Sequence, residues 1–203
     1  VNKMNEDRYS KKIGARQIQL DFHTSEYLEG IVKSFSKSKF QESLKLAHVD
    51  SINLFAKCHH SWSYYPTQIG QMHPHLDFDL LGQQIEACHE IGVLAHIYFT
   101  FGWSCNDADQ HPEWLVRDRN GLPVTSEPWP ESELSPHSKP TFQWKFLCAA
   151  TSYHEYVMEQ VKELCELYDA EGYWFDIYQA HRLSFSEPCK KEMKELGLSL
   201  IHI

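Results

Sequence analysis

A single aspartate, Asp176, lies near the end of the otherwise apolar run GYWFDIY at positions 172–178. A carboxylate in apolar surroundings costs on the order of several kcal/mol unless it is paired or acts on a ligand. One interpretation is therefore structural: Asp176 forms an ion pair with Lys57 or Arg182, or caps a turn. The other is catalytic, because an ionised carboxylate is a nucleophile suited to attack on the anomeric carbon of a sugar.

Histidines and a lysine follow two further segments of strand character. His23 ends an alternating segment, and Lys57, His59 and His60 follow or end an apolar run. In extended chain, His59 and His60 point to opposite faces, so they could not both bind one ion without a bend. We expect at least one of them to face a pocket.

A zinc site is an alternative use of these imidazoles, because histidine nitrogen is a common zinc ligand. Further histidines stand at His73, His75 and His96. The spacing of His73 and His75 favours surface or capping positions, and His96 lies in the middle of a predicted strand, where a buried core histidine is expected. The sequence predicts no bound metal and no cofactor.

Aromatic side chains lie beside these polar groups. The chain has 6 Trp, 10 Tyr and 11 Phe, and several of them occur in polar segments. Trp62, Tyr64, Tyr65 and Trp103 cluster near predicted strand ends instead of following a helical period. They are expected either to form a wall against the apolar face of a sugar ring or to pack as loop residues over a barrel mouth.

Four predicted strands alternate with helices, and this order is typical of an α/β protein with a parallel sheet. The predicted strands span 15–23, 51–58, 93–103 and 172–178. The first helix is predicted to start at the capping box Ser38-x-x-Gln41. Further helices are predicted before the stop at Gly92, from Ser152 onwards, and at 187–196.

No glycine-rich phosphate-binding motif follows any strand, so a (β/α)8 TIM barrel is favoured over a nucleotide-binding fold. In such a barrel, chemistry gathers at the carboxyl ends of the strands. Four βα units are half of a barrel of about 250 residues. We therefore predict that residues 1–197 are the N-terminal part of a truncated barrel, with a long loop insertion at 104–150 and a non-native tail at 198–203.

Charge and composition limit the partners. Lys and Arg sum to 19 against 28 Asp and Glu, for a net charge of -9, which argues against nucleic acid or an anionic membrane as partner. The 6 cysteines form no CxxC pair, so reduced thiols are expected. No apolar run has the length of a membrane span. The predicted location is cytoplasmic, and the predicted partner is a carbohydrate, with a homo-oligomer expected for the full-length protein.

Three strings together resemble a known family. They are DFHTS at 21–25, AKCHH at 56–60 followed by YPT at 65–67, and GYWFD at 172–176. They are similar to the hypothetical glycosyl hydrolase 6 family and its relatives, the alpha-L-fucosidases of glycoside hydrolase families 29 and 151. The resemblance implies a bacterial enzyme of carbohydrate metabolism.

The resemblance also implies roles for individual residues. Asp176 matches the nucleophile, and His23, His59 and His60 match residues that bind sugar hydroxyls. Trp174 matches a pocket residue, and Tyr98 is a match on the third strand. The predicted substrate-binding set is completed by Lys57, Trp62, Tyr65 and Trp103. The sequence departs from the fucosidase pattern at 61–63, where SWS replaces the usual Gly-Phe, and at Ile177, where Gly often follows the nucleophile.

The implied mechanism is retaining hydrolysis, in which a second carboxyl about 5 to 5.5 Å from the nucleophile serves as acid and then as base. Its identity stays open. The candidates in the insertion are Glu113, Glu127, Glu131 and Glu133, and the second carboxyl of such barrels normally comes from a later part of the chain. We therefore expect this chain alone to hydrolyse little. Two alternatives are a metal-dependent TIM-barrel hydrolase and a non-catalytic carbohydrate-binding barrel.

Overall fold

A computed structural model of the chain describes residues 14–125, 144–178 and 183–198. These residues divide into two compact units. The described part of the first unit comprises 14–58, 62–99 and 160–176, and that of the second comprises 59–61, 100–125, 144–159, 177–178 and 183–198.

The regular elements follow one another along the chain. The strands are β1 (Gln17–Gln19), β2 (Ser51–Lys57), β3 (Trp62–Ser63), β4 (Gln71–Met72), β5 (Leu94–Thr100), β6 (Trp103–Ser104), β7 (Lys145–Phe146) and β8 (Gly172–Asp176). The helices are α1 (Lys37–Leu46), α2 (Leu80–Glu90), α3 (Asn106–Gln110), α4 (Tyr153–Leu167) and α5 (Glu187–Glu195), with a 3-10 turn at Pro112–Trp114.

The first unit is built on a sheet whose central strand is β2. This strand pairs in parallel with β1 and β5 and antiparallel with the short β3, while β5 also neighbours β8. Every residue of β2 is buried, as expected for an apolar run covered on both faces. The succession β1, β2, β5, β8 matches the four predicted strands and confirms the α/β class.

The helices of the first unit begin and end at identifiable caps. The predicted capping box at Ser38 is wrong, because Ser36 is the N-cap of α1 and its side chain accepts from the Lys39 amide at 3.5 Å. The Gln41 amide group instead donates to α2, 3.0 Å from the Ala87 carbonyl. The predicted helix stop at Gly92 is confirmed, since this residue has φ +73° just beyond α2.

All four predicted strands are shorter in the structure, the second by only one residue. The first covers only Gln17–Gln19, so His23 lies beyond it. The third ends at Thr100, and Trp103 belongs to the separate strand β6. The fourth ends at Asp176 because the next residue, Ile177, has φ +54°, a left-handed conformation that cannot continue a strand.

The second unit contains most of the predicted insertion. Strands β6 and β7 pair antiparallel, and Val116, Val124, Phe146 and Cys148 form its buried apolar cluster. Ile177 packs against this cluster, and a Cβ at Gly102 would overlap the Ile177 carbonyl oxygen. The predicted insertion and tail stay predictions, and residues 126–143 and 199–203 lie outside the described residues. In the described part of the chain, no helix is long and apolar enough to cross a membrane.

Candidate active site

The carboxylate of Asp176 is held by a tyrosine on the neighbouring strand. The Tyr98 hydroxyl on β5 donates a 2.6 Å hydrogen bond to Oδ2 of Asp176 at the end of β8. Tyr98 is fully buried and Asp176 is partly buried. Burial, and then the contact with Asp176, raises the pKa of Tyr98 well above its usual value. The phenol therefore stays protonated, and Asp176 accepts from a neutral donor that orients its carboxylate.

His23 lies against the same tyrosine. Its ring is edge-on to Phe55 and Tyr98, with centroid distances of 5.2 and 6.2 Å. Phe55 and Tyr98 are opposite each other in the β2–β5 register and stack at 3.9 Å. Burial lowers the pKa of His23, although Asp21 and Asp176 oppose this. The imidazole is therefore neutral at pH 7, with one nitrogen donating and one accepting.

The first unit thus brings together three residues that the sequence singled out, namely His23, Tyr98 and Asp176. We call these three residues the Asp176 cluster. His23 and Tyr98 are 75 residues apart in the chain, and Tyr98 and Asp176 are 78 residues apart. The sheet brings Tyr98 and Asp176 together because β5 and β8 are neighbouring strands, and His23 follows β1 of the same sheet.

Lys57 is the last residue of β2, and its side chain is buried. Its Nζ donates to Oε1 of Gln160 at 3.1 Å and lies 5.4 Å from the centre of the Phe99 ring. This contact joins Lys57 to a neutral amide, and the ion pair between Lys57 and Asp176 that the sequence left open stays a prediction. A contact of Lys57 with substrate stays a prediction.

Three aromatic residues were predicted on the loop after β2, and two of them, Trp62 and Tyr65, make side-chain hydrogen bonds to glutamates within the first unit. Trp62 donates from Nε1 to Oε2 of Glu26 at 3.3 Å. Tyr65 is fully buried and donates to Oε2 of Glu163 at 3.0 Å. The same carboxylate accepts from the Thr67 hydroxyl at 2.5 Å, so Glu163 ties this loop to α4. Glu163 was missed by the sequence analysis, because nothing in a helical carboxylate signals a partner nearly 100 residues away. Sugar contacts from Trp62 and Tyr65 stay predictions.

A second group of rings lies in the second unit. It consists of His59, His60, Trp103 and Trp144, and we call it the imidazole–indole group. The two indoles are nearly parallel, with centroids 6.0 Å apart, and His59 is edge-on to both at 5.0 and 5.1 Å. His59 Nδ1 also lies 2.6 Å from the Thr100 hydroxyl. Two predicted histidines and one predicted tryptophan are therefore together.

The neighbouring histidines do not lie in extended chain. His59 and His60 form a turn, and the following Ser61 has φ +71°. Because of this bend, both imidazoles lie edge-on to Trp144, His60 at 5.0 Å. The sequence analysis required such a bend for both side chains to reach one place, and the structure contains it.

Trp144 was missed by the sequence analysis. It lies in the segment that has many prolines and no helical or strand period, so no pattern placed it near His59. The available signal was its immediate setting, because Trp144 stands between the polar residues Gln143 and Lys145.

The indole N–H of Trp103 is a buried hydrogen-bond donor. Its Nε1 has no hydrogen-bond partner among the described residues. A buried donor without a partner is costly, on the order of 1–3 kcal/mol. This N–H is therefore a donor that an acceptor group of a ligand would satisfy.

Trp174 lies on β8, two residues before Asp176, and is 51% exposed. Side chains two residues apart on a strand share a face. Trp174 and Asp176 therefore lie on the same side of β8, as a pocket role requires.

The remaining histidines have local partners. His73 is buried, its Nε2 lies 3.1 Å from the Ser25 carbonyl, and its Nδ1 accepts from the His75 amide at 3.2 Å. His96 is buried as predicted, but its Nδ1 has no partner in the described part of the chain. Within residues 14–125, 144–178 and 183–198, no three His, Cys, Asp or Glu side chains come close enough to hold a metal ion.

Comparison with known proteins places these groups in a family. The model of the family described as hypothetical glycosyl hydrolase 6 matches residues 36–177. The chain belongs to this family. In this glycosyl hydrolase chain, the matched segment contains Tyr98 and Asp176 of the Asp176 cluster and all four residues of the imidazole–indole group. His23 lies before the matched segment. The predicted resemblance is confirmed.

Two solved structures extend the comparison of this glycosyl hydrolase chain. Alpha-L-fucosidase isoenzyme 2 from Paenibacillus thiaminolyticus is 44% identical with a TM-score of 0.79, over 91% of this chain and 26% of that chain. The present chain thus spans about a quarter of that relative's length. A noncanonic maltogenic alpha-amylase from Thermotoga neapolitana is similar in fold, with 16% identity and a TM-score of 0.52 over 89% of this chain and 43% of that chain. The partial barrel predicted from the sequence is confirmed. No curated protein matches the chain.

Proposed function

We propose that this chain is part of a retaining glycoside hydrolase that removes a terminal alpha-L-fucosyl residue or a closely related sugar, with Asp176 as nucleophile. The observation that carries the proposal is the 2.6 Å hydrogen bond from Tyr98 to Asp176 at the end of β8. It supplies an oriented carboxylate in a chain that is 44% identical to an alpha-L-fucosidase.

The proposed chemistry is a double displacement. A carboxylate oxygen of Asp176 attacks the anomeric carbon, and the glycosidic bond breaks as the leaving oxygen takes a proton from an acid. Water then attacks the same carbon and releases Asp176. The neutral phenol of Tyr98 holds the orientation of the carboxylate through both steps, because its raised pKa keeps the proton on the hydroxyl.

We also propose substrate contacts for several rings, each on the basis of its setting within its own unit. His23, neutral at pH 7, offers one donor and one acceptor, which match the dual character of a sugar hydroxyl. His59 and His60 are also assigned contacts with sugar hydroxyls, and the exposed indole of Trp174 is assigned the apolar face of the sugar ring. The buried Nε1 of Trp103 is a donor for a sugar oxygen.

The acid/base residue stays unassigned. A general acid at neutral pH needs a raised pKa. Glu113 is exposed, and hydrogen bonds from its own backbone amide and from His111 lower its pKa, so Glu113 is a poor acid. Glu127, Glu131 and Glu133 lie outside the described residues.

The test uses the full-length protein and Asp176→Asn. We expect turnover of a nitrophenyl alpha-L-fucoside to fall at least about 10⁴-fold while fucose still binds. Glu166→Gln is the matched control, because Glu166 is an exposed carboxylate on α4. It should keep full turnover.

Covalent trapping identifies the nucleophile directly. A 2-fluoro-fucosyl inhibitor should label one tryptic peptide, residues 163–182, which contains Asp176. Fragmentation should place the label on Asp176. A label on another carboxylate, or undiminished turnover in Asp176→Asn, would contradict the assignment of Asp176 as the nucleophile. Fucose binding without turnover in the unchanged protein would instead support a non-catalytic carbohydrate-binding barrel.

A further inference from the structure

Two thiols in the second unit lie next to each other. The Sγ atoms of Cys148 and Cys189 are 3.2 Å apart, and both cysteines are free. Cys148 follows β7 and is buried, whereas Cys189 lies in the first turn of α5 and is partly exposed. The two residues are 41 positions apart in the chain, so folding and not local sequence brings them together.

The surrounding packing holds this thiol pair in place. Cys148 belongs to the buried cluster with Val116 and Phe146, and Cys189 packs against that cluster. The hydroxyl of Ser186, a buried residue and the N-cap of α5, lies 3.6 Å from the Cys148 Sγ. Both sulfurs are therefore fixed by groups on each side.

We propose that Cys148 and Cys189 are a site of reversible oxidation, at which a low-molecular-weight disulfide such as oxidised glutathione converts the two thiols to an intramolecular disulfide. This site is separate from the proposed nucleophile and does not depend on the proposed function. The sequence analysis expected reduced thiols, and the reduced pair in the structure is the starting state of this reaction.

The reaction proceeds in two balanced exchanges. Cys189 reacts first because it is the more accessible thiol: its thiolate attacks one sulfur of the small disulfide, a mixed disulfide forms, and one small thiol leaves. The Cys148 thiol then loses its proton to solvent, and its sulfur attacks the Cys189 Sγ. The second small thiol leaves. The protein loses two hydrogen atoms, and one small disulfide becomes two small thiols.

Burial raises the pKa of Cys189, and its hydrogen bond with Cys148 adds to this effect. Only thiolates attack disulfides. The exchange is therefore expected to speed up as pH rises, and this increase should continue to higher pH than for an exposed thiol with an ordinary pKa.

The disulfide would close a loop of about 40 residues, and such a crosslink destabilises the unfolded chain. We expect oxidation to raise the thermal midpoint of the full chain by about 5–10 °C. Reduction with dithiothreitol should reverse the change.

Peptide mapping of the full chain tests the proposal. After exposure to oxidised glutathione and alkylation of the remaining thiols, trypsin should yield peptide 146–162 linked to peptide 183–190, each of which carries one cysteine. Cys189→Ser should abolish both the linked peptide and the rise in thermal midpoint. The control is Cys165→Ser, which removes an exposed thiol on α4 and should leave both intact.

Oxidation of the unfolded chain in urea shows whether the 148–189 link depends on the folded structure or forms by random pairing of thiols. In the unfolded chain, the six thiols should pair in a mixture, whereas the folded chain should give chiefly the 148–189 link. The same mixture in both conditions would overturn the proposal. So would stable glutathione adducts on Cys189 without the link.

Discussion

The Tyr98 hydroxyl contacts Asp176 Oδ2 at 2.6 Å across the neighbouring strands β5 and β8. This contact makes Tyr98→Phe informative, because the change removes one oxygen and keeps the ring that stacks on Phe55. A hydrogen bond to a charged group contributes about 1.5–3 kcal/mol. We therefore expect kcat/KM of the full-length protein for a nitrophenyl fucoside to fall about 10- to 100-fold.

The control for this change is Tyr27→Phe, since Tyr27 is highly exposed. It should leave kcat/KM unchanged. A loss of thermal stability in Tyr98→Phe with unchanged kcat/KM would assign Tyr98 to the core and remove its role beside Asp176.

Trp144 is the ring shared by both histidines of the imidazole–indole group. Trp144→Ala should raise KM about 3- to 10-fold, because an aromatic contact contributes about 0.5–1.5 kcal/mol beyond its buried area. Initial rates over a range of fucoside concentrations measure this. If Trp144 only packs, the thermal midpoint should fall while KM stays the same, and the substrate role would be lost.

Lys57→Met tests whether the buried lysine supports the fold or touches the substrate. The change leaves Oε1 of Gln160 buried without the Lys57 hydrogen bond. Such a loss costs about 1–3 kcal/mol. Urea unfolding should show this decrease, and fucose affinity should be unchanged. Lys162→Met is the control, since Lys162 is exposed on α4. Weaker fucose binding in Lys57→Met at unchanged stability would instead support the predicted substrate contact.

Buried histidines should make the stability of the chain depend on pH. Burial lowers the pKa of His73 and His96 below the usual histidine value of about 6.5. Well above pH 6.5, neither the folded nor the unfolded chain binds these protons, so the two histidines do not reduce the free energy of unfolding. As pH falls below 6.5, the unfolded chain takes up protons first. The free energy of unfolding then falls by at most about 1.4 kcal/mol per pH unit for each histidine. This decrease ends once the pH has fallen below the pKa of the histidine in the folded chain.

Urea unfolding between about pH 7.5 and 5.5 measures this slope. His96→Gln should reduce the slope of the unfolding free energy against pH by up to the contribution of one proton, about 1.4 kcal/mol per pH unit. His154→Gln should not change it, because His154 is exposed on α4. An identical slope in both variants would contradict the pH dependence assigned to His96.

Much of the fold followed from local patterns. The apolar run of β2 and the helix stop at Gly92 are properties of a few adjacent residues, and both were predicted correctly. The end of β8 was not, because it depends on the left-handed conformation of Ile177. No pattern predicts that conformation for a β-branched residue.

The candidate site was predictable where it lies at strand ends. Tyr98 and Asp176 lie on the neighbouring strands β5 and β8, and His23 follows β1 of the same sheet. The bend at Ser61 and the ring of Trp144 were not predictable, since one depends on a positive φ at a serine and the other on packing within an aperiodic segment.

The close approach of Gly102 to the Ile177 carbonyl restricts the residue directly after Asp176. A methyl group at position 102 would force the peptide of Ile177 to move, and that peptide is joined to the carboxylate-bearing residue by one covalent link. A side chain at position 102 would therefore change the direction of the backbone at Ile177. Mutational tolerance at position 102 should accordingly be narrow even though Gly102 carries no reactive group.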